Sequence, residues 1–312
     1  MNSIDNNRAL PTRLFIYLQE RFPLMSHGML ITAFTFSAIS YSRLSRGMAG
    51  FISTQDFIIG LLNGLAFFLL LRICDEFKDQ NEDRLYRAYL PVPRGLVRLA
   101  ELKNLGIAIG CLQLLSLLLF QPQMLGLYFI VMGYLFLMTK EFYAPQWLKQ
   151  RPLIYALSHM MIIPLIDLYS SGLDWKMTNS PMHSDMLWFM LVSYLNGLVL
   201  EIGRKIKAPK FEEIGVNTYT KIYGTKPAAI MWVALLTMTL LTALMAITKI
   251  QTGHYAPALL TIIYLLILTP GIAFVLKPTV KRSILIEKAS GIWTISMYLI
   301  LGAFPMLNNL IA

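Results

Sequence analysis

Nine apolar stretches recur along this 312-residue chain, joined by short polar connections. Each is close to the roughly 20 residues that carry a helix across a bilayer. They fall at about 24–41, 56–74, 99–118, 122–138, 152–172, 186–203, 227–248, 256–276 and 290–310. The expected fold is therefore an all-α membrane protein of nine transmembrane helices. Hydrophobic residues make up 56% of the chain, more than one aqueous core would use. No long linker divides it, so residues 1–312 are expected to form a single transmembrane domain. No apolar stretch followed by a small-residue cleavage site opens the sequence, and no removable signal peptide is expected.

Proline and glycine add detail. Pro122, Pro152, Pro227 and Pro257 stand at or near span starts, where a missing N–H costs little. Pro164 and Pro270 lie deeper and are expected to kink spans five and eight. Gly106, Gly110, Gly126 and Gly133 are expected to let spans three and four approach their neighbours closely.

The formal charge of +10 raises the question of nucleic acid. No RNA-binding motif or aromatic-interleaved basic surface accompanies it, so no nucleic-acid partner is expected. The distribution of the charge speaks of membrane orientation instead. The N-terminal segment and every second connection after it hold 21 Lys and Arg, and the alternate connections hold 4. By the positive-inside rule the N-terminus is cytoplasmic and the C-terminus lies outside. The expected location is a multi-pass position in the membrane, taken here as a bacterial inner membrane. Cys74 and Cys111 show no disulfide or zinc spacing and read as small buried residues.

Only 14% of residues are charged, and the acids are concentrated. Directly after span two come Asp75, Glu76, Asp79, Glu82 and Asp83; Asp75, Asp79 and Asp83 recur at i, i+4 and i+8 along one helix face. Like charges crowded on a face repel unless something positive sits among them. Mg²⁺, which takes oxygen ligands and bridges carboxylates to substrate phosphates, is a natural candidate. A solvated acidic loop is the plain alternative. After span six comes a second cluster: Glu201, Arg204, Lys205, Lys207, Lys210, Glu212 and Glu213. Arg offers a fork to phosphate oxygens and Lys a point charge. Glu201 with Arg204 and Lys205 also has the spacing of an intrahelical salt bridge, and that alternative stays open.

Here the chain resembles the UbiA superfamily of intramembrane prenyltransferases. That family's first motif, Asn-Asp-x-x-Asp-x-x-x-Asp, overlays Asp75-Glu76-x-x-Asp79-x-x-x-Asp83. Its following proline-rich stretch overlays Leu90-Pro91-Val92-Pro93-Arg94-Gly95, with Leu90 in place of the usual arginine. The second motif departs. Gly215-Val216-Asn217-Thr218 fits its tail, but Arg204, Lys205 and Lys207 occupy the region of its acids.

The resemblance implies that Glu76, Asp79 and Asp83 hold Mg²⁺ on a prenyl diphosphate, with Asp75 completing the catalytic set. Arg87 or Arg84 would supply the charge missing at Leu90, and Arg94, Lys140, Arg204 and Lys205 are further diphosphate candidates. Asn63, Asn196, Glu201 and His159 are cavity candidates, each with a bland reading as a buried hydrogen-bonding group. His159 and Asp167, two turns apart, are expected to face similar directions as a buried pair. The implied activity is Mg²⁺-dependent prenyl transfer to an acceptor that the sequence leaves open, as it does the oligomeric state. A terpene cyclase of the same family, a transporter and a non-catalytic binding protein are the competing readings.

Overall fold

The computed structural model describes residues 8–250 and 255–311, and among them every regular element is helical. In chain order these are α1 (Leu10–Arg21), α2 (Leu24–Ser45), α3 (Thr54–Lys78), α4 (Gln80–Tyr86), α5 (Leu99–Phe120), α6 (Leu125–Thr139), α7 (Pro145–Lys149) and α8 (Pro152–Met160). They continue as α9 (Ile162–Trp175), α10 (Met186–Arg204), α11 (Tyr219–Tyr223), α12 (Thr225–Ile247), α13 (Tyr255–Leu276), α14 (Val280–Tyr298) and α15 (Phe304–Ile311). Among the described residues eight helical segments are long and apolar enough to cross a bilayer. The pair α1–α2, bent by 62° at Phe22–Pro23, makes a ninth when taken as one span. The nine-span all-α architecture read from the sequence is thus present.

α10 is the centre of the bundle: 67% of its apolar window is buried, against 17% for α5. It packs on α12, α14 and α9, while α2 packs on α9 and α3 on α5. Large apolar side chains remain exposed along α5, α6 and α13, among them Leu112, Phe129 and Leu265, as helices facing lipid require.

The two deep prolines behave differently. Pro164 cannot donate to the carbonyl of Met160, and the helix is interrupted at Met161 between α8 and α9. Pro270 lies inside α13, which continues through it. The Leu266 carbonyl that it strands accepts a hydrogen bond from Thr269 Oγ1 at 2.8 Å. The last span passes through a π turn at Leu299–Ala303, one turn before Pro305.

The expected close approaches hold only at Gly106, where a Cβ would stand 3.7 Å from Ile73 and Leu70 of α3. Gly110, Gly126 and Gly133 have open space where a Cβ would stand. The tight contact is at Gly302, whose Cβ would fall 2.4 Å from the Ser37 Cα, so α2 and the π turn meet backbone to backbone.

At one end of the bundle Asp174 of α9 ties α9 to α2. The carboxylate is fully buried and accepts from Ser42 Oγ at 2.8 Å, from Arg43 at 3.0 Å and from Arg46 at 2.9 Å. Arg43 spends its other donors on the carbonyls of Ala49 and Gly50.

Candidate functional site

The acids of the first cluster stand at the other end, where α3 runs out, and each has its own surroundings. Lys78, the last residue of α3, donates to Asp75 Oδ1 at 3.0 Å, and Arg72 approaches the other oxygen at 3.7 Å. Glu76 shares Arg72 with Asp75 and reaches α1. Its buried carboxylate accepts from Arg21 of α1 at 2.7 Å and lies 3.4 Å from Arg72. Asp83 is buried beside Arg87 at 3.0 Å. Glu82 meets Lys149 in the open at 3.0 Å.

Asp79 differs from the rest. Among the described residues it makes no ion pair within 4 Å, and it sits half-buried between α3 and α4. Burial pushes its carboxyl above the ordinary range, against the pull of the Lys78 ammonium and with the Asp75 and Asp83 carboxylates adding to the rise.

α10 delivers the second cluster to the same place. Glu201 is buried and carries both neighbouring cations, Arg204 and Lys205, the latter at 2.6 Å. The salt bridge left open by the spacing is present. Arg204 is also close enough to Asp75 for their charges to attract. Lys205 lies 6.0 Å over the Tyr219 ring. Burial, and then the Glu201 carboxylate, push the Tyr219 hydroxyl well above its usual range. Lys207 is drawn off to Glu287 at 2.9 Å. Glu212 accepts from Thr218 and Thr220 at 2.6 to 2.7 Å and so shapes the loop before α11.

Aromatic rings close the side of the site. Lys78 lies 5.4 Å over the Tyr155 ring, which stacks on His159 at 3.8 Å, and Phe142 meets the His159 edge at 5.7 Å. Phe142 reaches that position from three successive residues, Glu141, Phe142 and Tyr143, in the left-handed region at φ 46°, 52° and 57°. Such backbone is costly for residues with a Cβ and persists where its surroundings enforce it. Over the top, the Tyr86 ring from α4 rests on Gly215, where a Cβ would fall 2.3 Å from the ring. With φ at +77°, Gly215 also holds a conformation that favours glycine.

The structure therefore gathers Asp75, Asp79, Glu201, Arg204, Lys205 and His159. Other candidates are placed elsewhere. Arg94 holds Glu20 of α1 at 2.7 and 2.8 Å, and Lys140 is exposed. Arg87 is engaged by Asp83. Asn63 donates to Ser116 across the α3–α5 contact, and Asn196 is fully buried in α10. His159 and Asp167 do not pair. His159 Nδ1 is 2.9 Å from the Tyr155 carbonyl, and the buried Asp167 oxygens have no hydrogen-bond partner among the described residues.

Sequence reasoning missed Lys78, Arg72, Tyr155 and Tyr219. Lys78 had a signal, since it follows Asp75 by three residues and precedes Asp79. The aromatic pair had none, because its partners come from other helices.

The expected Mg²⁺ cradle of Glu76, Asp79 and Asp83 is not assembled. Among the described residues no three His, Cys, Asp or Glu side chains converge as metal ligands. Glu76 and Asp83 are directed to their own arginines. The donor set present does not fit a carboxylate-held divalent ion.

No family model matches the sequence, and neither does any curated protein. The fold is similar to a solved structure of a digeranylgeranylglyceryl phosphate synthase, with a TM-score of 0.61 and 18% identity. The match covers 94% of this chain and 99% of that one, so the likeness spans the whole architecture.

Proposed function

We propose that the protein transfers a prenyl group from a prenyl diphosphate to an acceptor within the membrane. One observation carries this reading: cations and acids from α3 and α10, distant in sequence, meet at one end of an apolar bundle whose fold is that of a digeranylgeranylglyceryl phosphate synthase. Arg204, Lys205 and Lys78 offer positive charge to a diphosphate there, and the apolar helices suit an isoprenoid tail. By the positive-inside rule this end faces the cytoplasm.

In the transfer the allylic C–O bond breaks and its electron pair leaves with the diphosphate. The fixed cations stabilise the charge that gathers on the leaving oxygens. The acceptor nucleophile bonds to the allylic carbon and loses a proton. Asp79, which makes no ion pair among the described residues and whose carboxyl is pushed up by burial, is suited to take that proton. The closed aromatic side of the site limits water, which would otherwise capture the cation. No step is assigned to Mg²⁺.

The buried Asp167 favours a transport reading, because an ionisable group inside the membrane often marks an ion path. Incubating the purified protein with labelled prenyl diphosphates decides between the two. Release of diphosphate with a prenylated acceptor supports transfer, and release with a cyclic hydrocarbon moves the activity to cyclisation. No release under any condition sinks transfer and cyclisation and leaves the transport reading.

A further inference from the structure

The cations of this site are built into it. Lys78 is fixed on two sides, by the Asp75 carboxylate at 3.0 Å and by the Tyr155 ring at 5.4 Å, and its side chain is only 12% exposed. With Asp75, Cys74 and Thr139 it lines the cleft between α3 and α6. An ammonium carries three donors, and Asp75 takes one of them. At this end of the bundle the carboxylates Asp75, Glu76, Asp79 and Glu201 stand with Arg21, Arg72, Lys78, Arg204 and Lys205, one cation more than acids. A carboxylate site for a divalent ion needs the opposite imbalance. Sets of fixed cations bind phosphate oxygens directly.

We infer that Lys78 is a resident cation of the diphosphate site, standing where a divalent metal would bridge the α3 carboxylates to phosphate oxygens, so that diphosphate binds here without a divalent metal. The inference rests on the proposed prenyl-diphosphate chemistry and specifies how its anionic end is held. It also accounts for the scattered acids. Glu76 and Asp83 are free to serve packing of α1 and α4 because no metal needs them.

The test is calorimetric titration of the full-length, detergent-purified protein with inorganic pyrophosphate, in EDTA and in Mg²⁺. The expected dissociation constant in EDTA lies within about threefold of that in Mg²⁺, a difference of under 1 kcal/mol. Lys78→Met should weaken binding in EDTA by about tenfold or more, while Lys78→Arg keeps it. Mg²⁺ should restore part of the affinity of Lys78→Met, because Asp75 is then released for a metal. Wild-type binding that vanishes in EDTA and returns with Mg²⁺ overturns the inference and leaves the proposed activity standing. Undiminished binding by a folded Lys78→Met also overturns it. Absence of pyrophosphate binding in both solutions overturns the proposed activity itself. The wild-type comparison decides the matter even if Lys78→Met fails to fold.

Discussion

Asp174 and Asp79 occupy opposite roles in one molecule. Asp174 is wholly buried and saturated, with Ser42, Arg43 and Arg46 on its two oxygens and Arg43 further tied to backbone carbonyls. Asp79 is half-buried, among cations that answer to other acids. An ion cluster that satisfies every member holds helices together, whereas one that leaves a member over has capacity for a ligand. The difference lies in the arithmetic of partners, since the residue types are the same.

The sharpest way to break this contrast is Asp174→Ala. It strands the buried Arg43 and the half-buried Arg46, and removing one partner of a buried pair costs about 3–5 kcal/mol. Unfolding followed by denaturant in detergent should show a loss of that size, and a change under 1 kcal/mol would deny Asp174 its structural part. Asp79→Ala should do the reverse. Turnover of prenyl diphosphate should fall about 100-fold or more, the usual contribution of a positioned base. The midpoint of unfolding should stay level or rise, because a carboxyl whose ionisation is opposed by burial is removed. Full turnover in that variant would return Asp79 to the status of a loop residue.

Smaller effects refine the picture. Arg204→Ala should weaken pyrophosphate binding about tenfold, and Arg204→Lys less, since lysine keeps the charge but not the fork. Equal losses in the two variants would mean that charge alone is used there. Glu82→Gln breaks only the exposed pair with Lys149 and should change stability by less than about 1 kcal/mol, with turnover untouched. The same pair holds the Lys149 ammonium above its ordinary range, chiefly through the hydrogen bond to Glu82.

Much of the fold was legible because the bilayer imposes a length and a polarity that recur nine times in the chain. Pro164 announced its break, yet Pro270 did not, because the hydroxyl of Thr269 answers the stranded carbonyl. Of the glycines of α5 and α6, Gly106 does lie against Leu70 and Ile73 of α3, whereas Gly126 and Gly133 misled, because small size invites contact only where another helix arrives. At the site, the charged helix ends could be found by inspection. Which acid belongs to which cation could not: Glu76 with Arg21 and Glu82 with Lys149 are settled by helix placement, far apart in sequence. His159 shows the same limit. Its spacing from Asp167 suggested a pair, but the Tyr155 ring on the preceding turn claims the imidazole.

The seating of Tyr86 on Gly215 has a bearing on descent. The two loops come from different halves of the chain, and neither can change shape at that point without displacing the other. In a lineage carrying this protein, a side chain gained at position 215 should be accompanied by a smaller residue at position 86. Insertions in either loop should likewise arise in matched pairs. The halves are thus constrained to diverge together, and a chimera that draws them from separate ancestors should inherit a gap or a clash over its charged end.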